Sequence, residues 1–171
     1  MAKIQYLSPE DVQTICEELL SYFSKLKDPP PEYTNSYFDK LDSILAIPQK
    51  TFGKQDLYPS IFQKAACYMF FITKLHPFNN GNKRMSIVAT GVFLEYNGYE
   101  LDADMEQLYE FAKVVTVTHD DQRRVLQDIA DFLEKNSKKH EPRNIATILF
   151  DTIRKLFSQL PLQKKATSVT S

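Results

Sequence analysis

Apolar residues along the chain recur mostly at helical spacing, and scarcely at the alternation of a half-buried strand. Ser8-Pro9-Glu10-Asp11 opens the first helix: Ser8 caps, Pro9 suits the first helical position and Asp11 stands where a capping-box acid belongs. Val12, Ile15, Cys16, Leu19, Leu20 and Phe23 follow, and Pro29-Pro30-Pro31 ends the run. A second helix is predicted from about Asn35 to Ala46, with Tyr37, Phe38, Leu41 and Leu45 inward and Pro48 as its stop. Gln49 to Tyr58 reads as an extended loop or small hairpin turning near Gly53. Pro59 and Ser60 open a third helix over Ile61 to Leu75 that is apolar on nearly all sides, which belongs at the centre of a fold.

Pro77 ends that helix near His76. A fourth helix starts near Asn82 and runs to about Tyr96, burying Ile87, Val88, Gly91, Val92 and Leu94, and Asn97-Gly98 stops it. Asp102 or Asp104 caps a fifth, ending near Thr118. Asp120 or Asp121 opens a sixth, with Val125, Ile129, Phe132 and Leu133 on its core face. Ile145, Ile148, Leu149, Ile153, Leu156, Phe157 and Leu160 form one stripe on a seventh helix from Pro142 to about Leu160, with a fraying polar tail behind it. The stripe packs on the domain or, alternatively, offers a partner or dimer surface.

The 171 residues suffice for one domain with an appendage. Only 4 glycines appear, too few for a turn-rich all-β fold. With Lys plus Arg at 21 and Asp plus Glu at 22, no basic surplus exists for gripping a nucleic-acid backbone, so no direct nucleic-acid partner is expected. A small local anion site stays open. Cys16 and Cys67 read as buried free thiols, and no zinc-ligand spacing occurs. The start lacks an apolar signal core, and no window reaches the roughly 18 apolar residues that span a bilayer. A soluble, cytoplasmic protein without a membrane partner is expected.

The chemistry lies in one nonapeptide, His76-Pro77-Phe78-Asn79-Asn80-Gly81-Asn82-Lys83-Arg84, between the end of one buried helix and the start of another. Free N–H groups at a helix start, with the dipole behind them, form an anion site. Gly81 allows close backbone approach. Lys83 and Arg84 set two cations against the dipole, and a bound anion such as phosphate would offset them. Imidazole titrates near neutrality, so His76 can accept a proton from a hydroxyl. A base beside a phosphate cradle suggests transfer of a phosphorus-containing group, a reaction that needs mostly positioning and electrostatics. A helix-end histidine is also a common cap or core residue, and a Lys-Arg pair is usually solvated. The nine together favour a site.

The segment resembles the signature of the Fic/Doc superfamily, His-Pro-Phe-x-(Asp/Glu)-Gly-Asn-(Gly/Lys)-Arg, and only Asn80 departs from it. Tyr58-Pro59 before it, and Phe93-Leu94 and Asn97-Gly98-Tyr99 after it, look like the Doc, or death-on-curing, branch. The resemblance covers about residues 5 to 136. It implies an all-α Fic fold with a short β-hairpin flap, a domain over 1–136 and a C-terminal helical extension over 137–171. It implies His76 as general base toward a protein hydroxyl. It further implies nucleotide phosphates held by Asn79, Gly81, Asn82, Lys83 and Arg84, and a flap containing Thr51, Phe52, Gly53 and Lys54 that aligns the target. AMP-transferring members carry glycine where this chain has Lys83, and a second arginine where it has Ile87. Both differences favour Doc-type transfer of the γ-phosphate of ATP, or another nucleoside triphosphate, over AMP transfer. Asn80 stands where the family has a Mg²⁺-holding acid, so Mg²⁺ binding should weaken or activity be lost, leaving a degenerate binding module. The branch implies a cytosolic target protein such as a translation factor. No inhibitory helix of the family type is evident, because Pro142 follows the spacing at Ser137 to Glu141. Restraint by a separate antitoxin chain is expected instead.

Overall fold

The computed structural model describes residues 3–24, 38–141 and 145–159. The chain order is α1 (Pro9–Ser24), α2 (Phe38–Ala46), a single 3₁₀ turn (Ile47–Gln49), β1 (Thr51–Phe52), β2 (Gln55–Asp56), α3 (Ile61–Leu75), α4 (Asn82–Tyr96), β3 (Tyr99–Leu101), α5 (Met105–Val117), α6 (Gln122–Lys135), β4 (Ser137–Lys139) and α7 (Ile145–Gln159). Asn35, Tyr37, Pro142, Leu160 and the tail lie outside the described residues.

The helix starts follow their caps. Ser8 Oγ accepts from Asp11 N–H while Asp11 Oδ2 accepts from Ser8 N–H, the reciprocal box expected from the sequence. Ser60 and Gln63 repeat the arrangement at α3. Of the alternatives at α5 and α6, Asp104 and Asp121 are the caps. Among the described residues the structure is mostly helical with two small antiparallel sheets, in line with the all-α expectation.

At the centre, α3 packs against α4, α5 and α6. Both α3 and α4 are buried almost all round, including Tyr68, Met69, Ile72, Met85, Ile87 and Phe93. Cys16 and Cys67 are buried free thiols, and burial pushes each up to about 12. The described side chains of the seventh helix's stripe face inward. Ile148, Leu149, Ile153 and Leu156 are buried as α7 packs on α4 and α1. At Gly91 an added Cβ would lie 2.7 Å from Leu156 Cδ1, so glycine there lets the two helices close. This packing removes the motive for placing a dimer or partner surface on the stripe.

Three features depart from the sequence pattern. Lys64, in the middle of the apolar α3, is fully buried. Its ammonium donates to Asp56 Oδ2 at 2.8 Å and to the Pro48 carbonyl at 3.1 Å, so its charge enters the core paired. Tyr99–Leu101 and Ser137–Lys139 form an antiparallel pair with Glu100 opposite Lys138. Strands this short and this lysine-rich carry no alternation to read. Phe132, expected in the core, is only partly buried. Among the described residues no helix is long and apolar enough to cross a membrane.

Candidate active site

α3 and α4 meet at the nonapeptide. Leu75 is the last residue of α3, and His76 caps it in the left-handed region at φ 45°, ψ 65°. Pro77 forbids helical continuation, so the chain must turn here. A non-glycine residue held at positive φ is strained, although histidine tolerates it better than most. The His76 side chain is exposed, and among the described residues it makes no hydrogen bond. Lys74, two residues earlier, donates to the carbonyls of Val115, Thr116 and Thr118 and so caps the end of α5. The last turn of α3 is therefore fixed to its neighbour just before the imidazole.

Phe78 plugs the loop into the core at 2% exposure. Asn82 holds it there: its Oδ1 accepts from Phe78 N–H at 3.0 Å and its Nδ2 donates to the Phe78 carbonyl at 2.7 Å. Asn82, to which the resemblance assigns a phosphate role, thus bonds the backbone of Phe78 through both polar atoms of its amide. Asn79 and Asn80 are exposed. Asn80 Oδ1 accepts from Gly81 N–H at 2.7 Å.

Gly81 is the N-cap of α4 at φ 75°, and no side chain caps the helix. Its first turn carries no acid. Lys83 is half-buried and, among the described residues, forms no ion pair. Arg84 is 5% exposed. The helix start thus combines the positive end of the dipole, backbone donors without a side-chain cap and two cations, which suits a polyphosphate. Ile87, one turn on, is fully buried.

The hairpin precedes α3. Thr51 pairs with Asp56 and Phe52 with Gln55, around a turn whose central residues Gly53 and Lys54 both have positive φ. Lys64 anchors its foot, and the helical rise over the twelve steps from Lys64 to His76 amounts to about 18 Å. His76 and Gly81–Arg84 thus flank one short loop between α3 and α4, while the foot of the flap is anchored near the far, N-terminal end of α3. A cavity of about 450 Å³ opens at that far end, lined by residues including Tyr58, Gln63, Arg123 and Gln127 and by none of the nonapeptide.

A model of the Fic/DOC family matches residues 6–94, more than half of the chain. The chain belongs to the Fic/Doc family. It is also similar to a protein of Mycolicibacterium smegmatis (strain ATCC 700084 / mc(2)155) named Toxin Doc, at 32% identity over 102 residues that cover 60% of this chain and 72% of that one. No solved structure matches. The matched span of the family holds α1 to α4, and so both arms of the site. β3 to α7 lie beyond it.

The family generally uses a nucleotide substrate. For a Mg²⁺ held by the protein, this Fic/Doc chain offers a poor donor set. Among the described residues no group of three or more His, Cys, Asp or Glu could hold a metal ion. The neutral Asn80 oxygen at the expected position already accepts from Gly81. Hard cations prefer charged oxygen ligands, so these residues do not fit such a site.

Proposed function

We infer that this protein is a Doc-like toxin that transfers the γ-phosphoryl group of a nucleoside triphosphate, ATP being the first candidate, to a hydroxyl of a target protein. The observation that carries the reading is the uncapped, doubly cationic start of α4 beside an exposed imidazole that no hydrogen bond restrains. In the step, the target hydroxyl loses its proton to a ring nitrogen of His76 as its oxygen bonds to phosphorus. The bond from phosphorus to the bridging oxygen breaks, and the diphosphate leaves with that electron pair. Backbone N–H groups of the first α4 turn, Lys83 and Arg84 hold the charged oxygens. Asn82 contributes by fixing the loop.

Two residues support phosphoryl over AMP transfer. Lys83 fills the position where AMP-transferring relatives keep glycine, and the buried apolar Ile87 stands where they have a second arginine. The similarity to a protein named Toxin Doc supports a toxin held by a separate antitoxin chain, acting on a cytosolic target. Label from γ-labelled triphosphate is expected on a protein target and label from α-labelled triphosphate is not. The reverse result would make the protein an AMP transferase. A second reading, a degenerate domain that only binds a partner, draws on the neutral Asn80 and its bond to Gly81. Partner capture with no transfer of either label would favour it.

A further inference from the structure

The base and the anion cradle belong to different helices. His76 ends α3, whereas Gly81 to Arg84 open α4, so their spacing depends on how the last turn of α3 is registered against the first turns of α4. The buried side chains of both helices are mostly apolar, and apolar association carries no directional bond. Next to the site a chain of hydroxyls crosses from one helix to the other. Thr73 Oγ1 donates to Ser86 Oγ at 2.8 Å, and Ser86 Oγ donates to the Lys83 carbonyl at 2.8 Å. Thr73 and Ser86 are fully buried. Thr73 lies three residues before His76, and Lys83 is the second residue of α4.

Burial of hydroxyls is unfavourable unless they are bonded, and replacing a bonded pair by apolar groups of the same shape is often nearly neutral. Stability alone therefore does not call for hydroxyls at both positions. A directional bond in a low-dielectric interior fixes one register. Thr90, also buried, bonds back to Ser86 O within α4 and does not cross.

We propose that Thr73 and Ser86 are positioning residues, whose hydroxyl chain to Lys83 sets the spacing between the His76 imidazole and the phosphate-binding turn of α4. The inference rests on the transfer reading above. It makes a split demand: the cradle lies wholly on α4, so loosening the chain leaves nucleotide affinity intact and misplaces the base. Displacements near 1 Å cost on the order of 10²-fold in rate.

The test measures kcat, nucleotide Kd by calorimetry and melting temperature for Thr73→Val, Ser86→Ala, the double variant and Thr73→Ser. Each of the first two is expected to lower kcat about 10- to 100-fold, with Kd changed by less than about twofold. The double variant should be no worse than the poorer single one, because both remove the same bond. Thr73→Ser keeps the hydroxyl and should recover most of the rate. Normal kcat with only a lowered melting temperature would overturn the inference, as would equal losses for Thr73→Ser and Thr73→Val. Should Thr73→Val not fold, Ser86→Ala, which removes a single oxygen, decides alone. A wild type whose transfer survives His76→Asn rejects the transfer reading and this inference with it. Transfer that depends on His76 but ignores Thr73→Val and Ser86→Ala rejects this inference only.

Discussion

His76→Asn is expected to lower transfer to a protein hydroxyl by about 10²–10⁴-fold, the usual contribution of a general base. Asparagine is the informative replacement because His76 sits at φ 45°, ψ 65°, and asparagine accepts the left-handed region readily. The turn between α3 and α4 is then kept while the proton acceptor is lost. The cradle on α4 is untouched, so nucleotide affinity should stay near that of the wild type. The measurement is transfer of label under single-turnover conditions beside calorimetric titration of the triphosphate. A variant with near-normal rate would remove His76 from the chemistry. A variant that no longer binds nucleotide would make His76 part of the cradle.

Asn82→Ala is the second large effect, and it divides two roles that the motif alone leaves merged. Both polar atoms of the Asn82 amide bond the backbone of Phe78, and both residues are buried. Removing the amide strips two buried hydrogen bonds from the loop, worth about 2–3 kcal/mol together. In a chain of this size that lowers the melting temperature by several degrees, at about 2–4 °C per kcal/mol. Transfer should fall at least about 10²-fold, because the segment between base and cradle is no longer pinned. Thermal melts and kinetics on the same preparation check both. An unchanged melting temperature with weakened nucleotide binding would return Asn82 to the phosphates.

The helices were legible because each carries its own punctuation. Ser60, Pro77 and Asn97-Gly98 mark where α3 and α4 begin and end, and hydrophobic spacing gives their central place. The stripe of α7 was legible too, but its partner was not, since periodicity shows that a face is apolar and not what covers it. β3 and β4 escaped because pairing over three residues depends on chain ends brought together by α4 and α6. Lys64 escaped because its partner Asp56 and the Pro48 carbonyl become neighbours only after the hairpin folds.

Within the site, residue types announced the cradle and the base. The division of labour needed coordinates. Asn82 looks like a phosphate ligand in a string of polar residues, and only its bonds to Phe78 reveal a clamp. The hairpin residues Thr51 to Lys54 are close to the motif in sequence order, yet the rigid length of α3 separates their anchor from His76. Thr73 and Ser86 are too ordinary as residue types to draw notice. Their meaning comes from a bond between two helices.

The most direct measurement is a crystal structure of the protein with a non-hydrolysable nucleoside triphosphate. The account predicts phosphate oxygens against the first turn of α4, with Lys83 and Arg84 beside them and the γ-phosphorus as the atom nearest the His76 imidazole. A triphosphate seated in the cavity by Tyr58 and Arg123, or at the motif with its phosphates turned from His76, would contradict it.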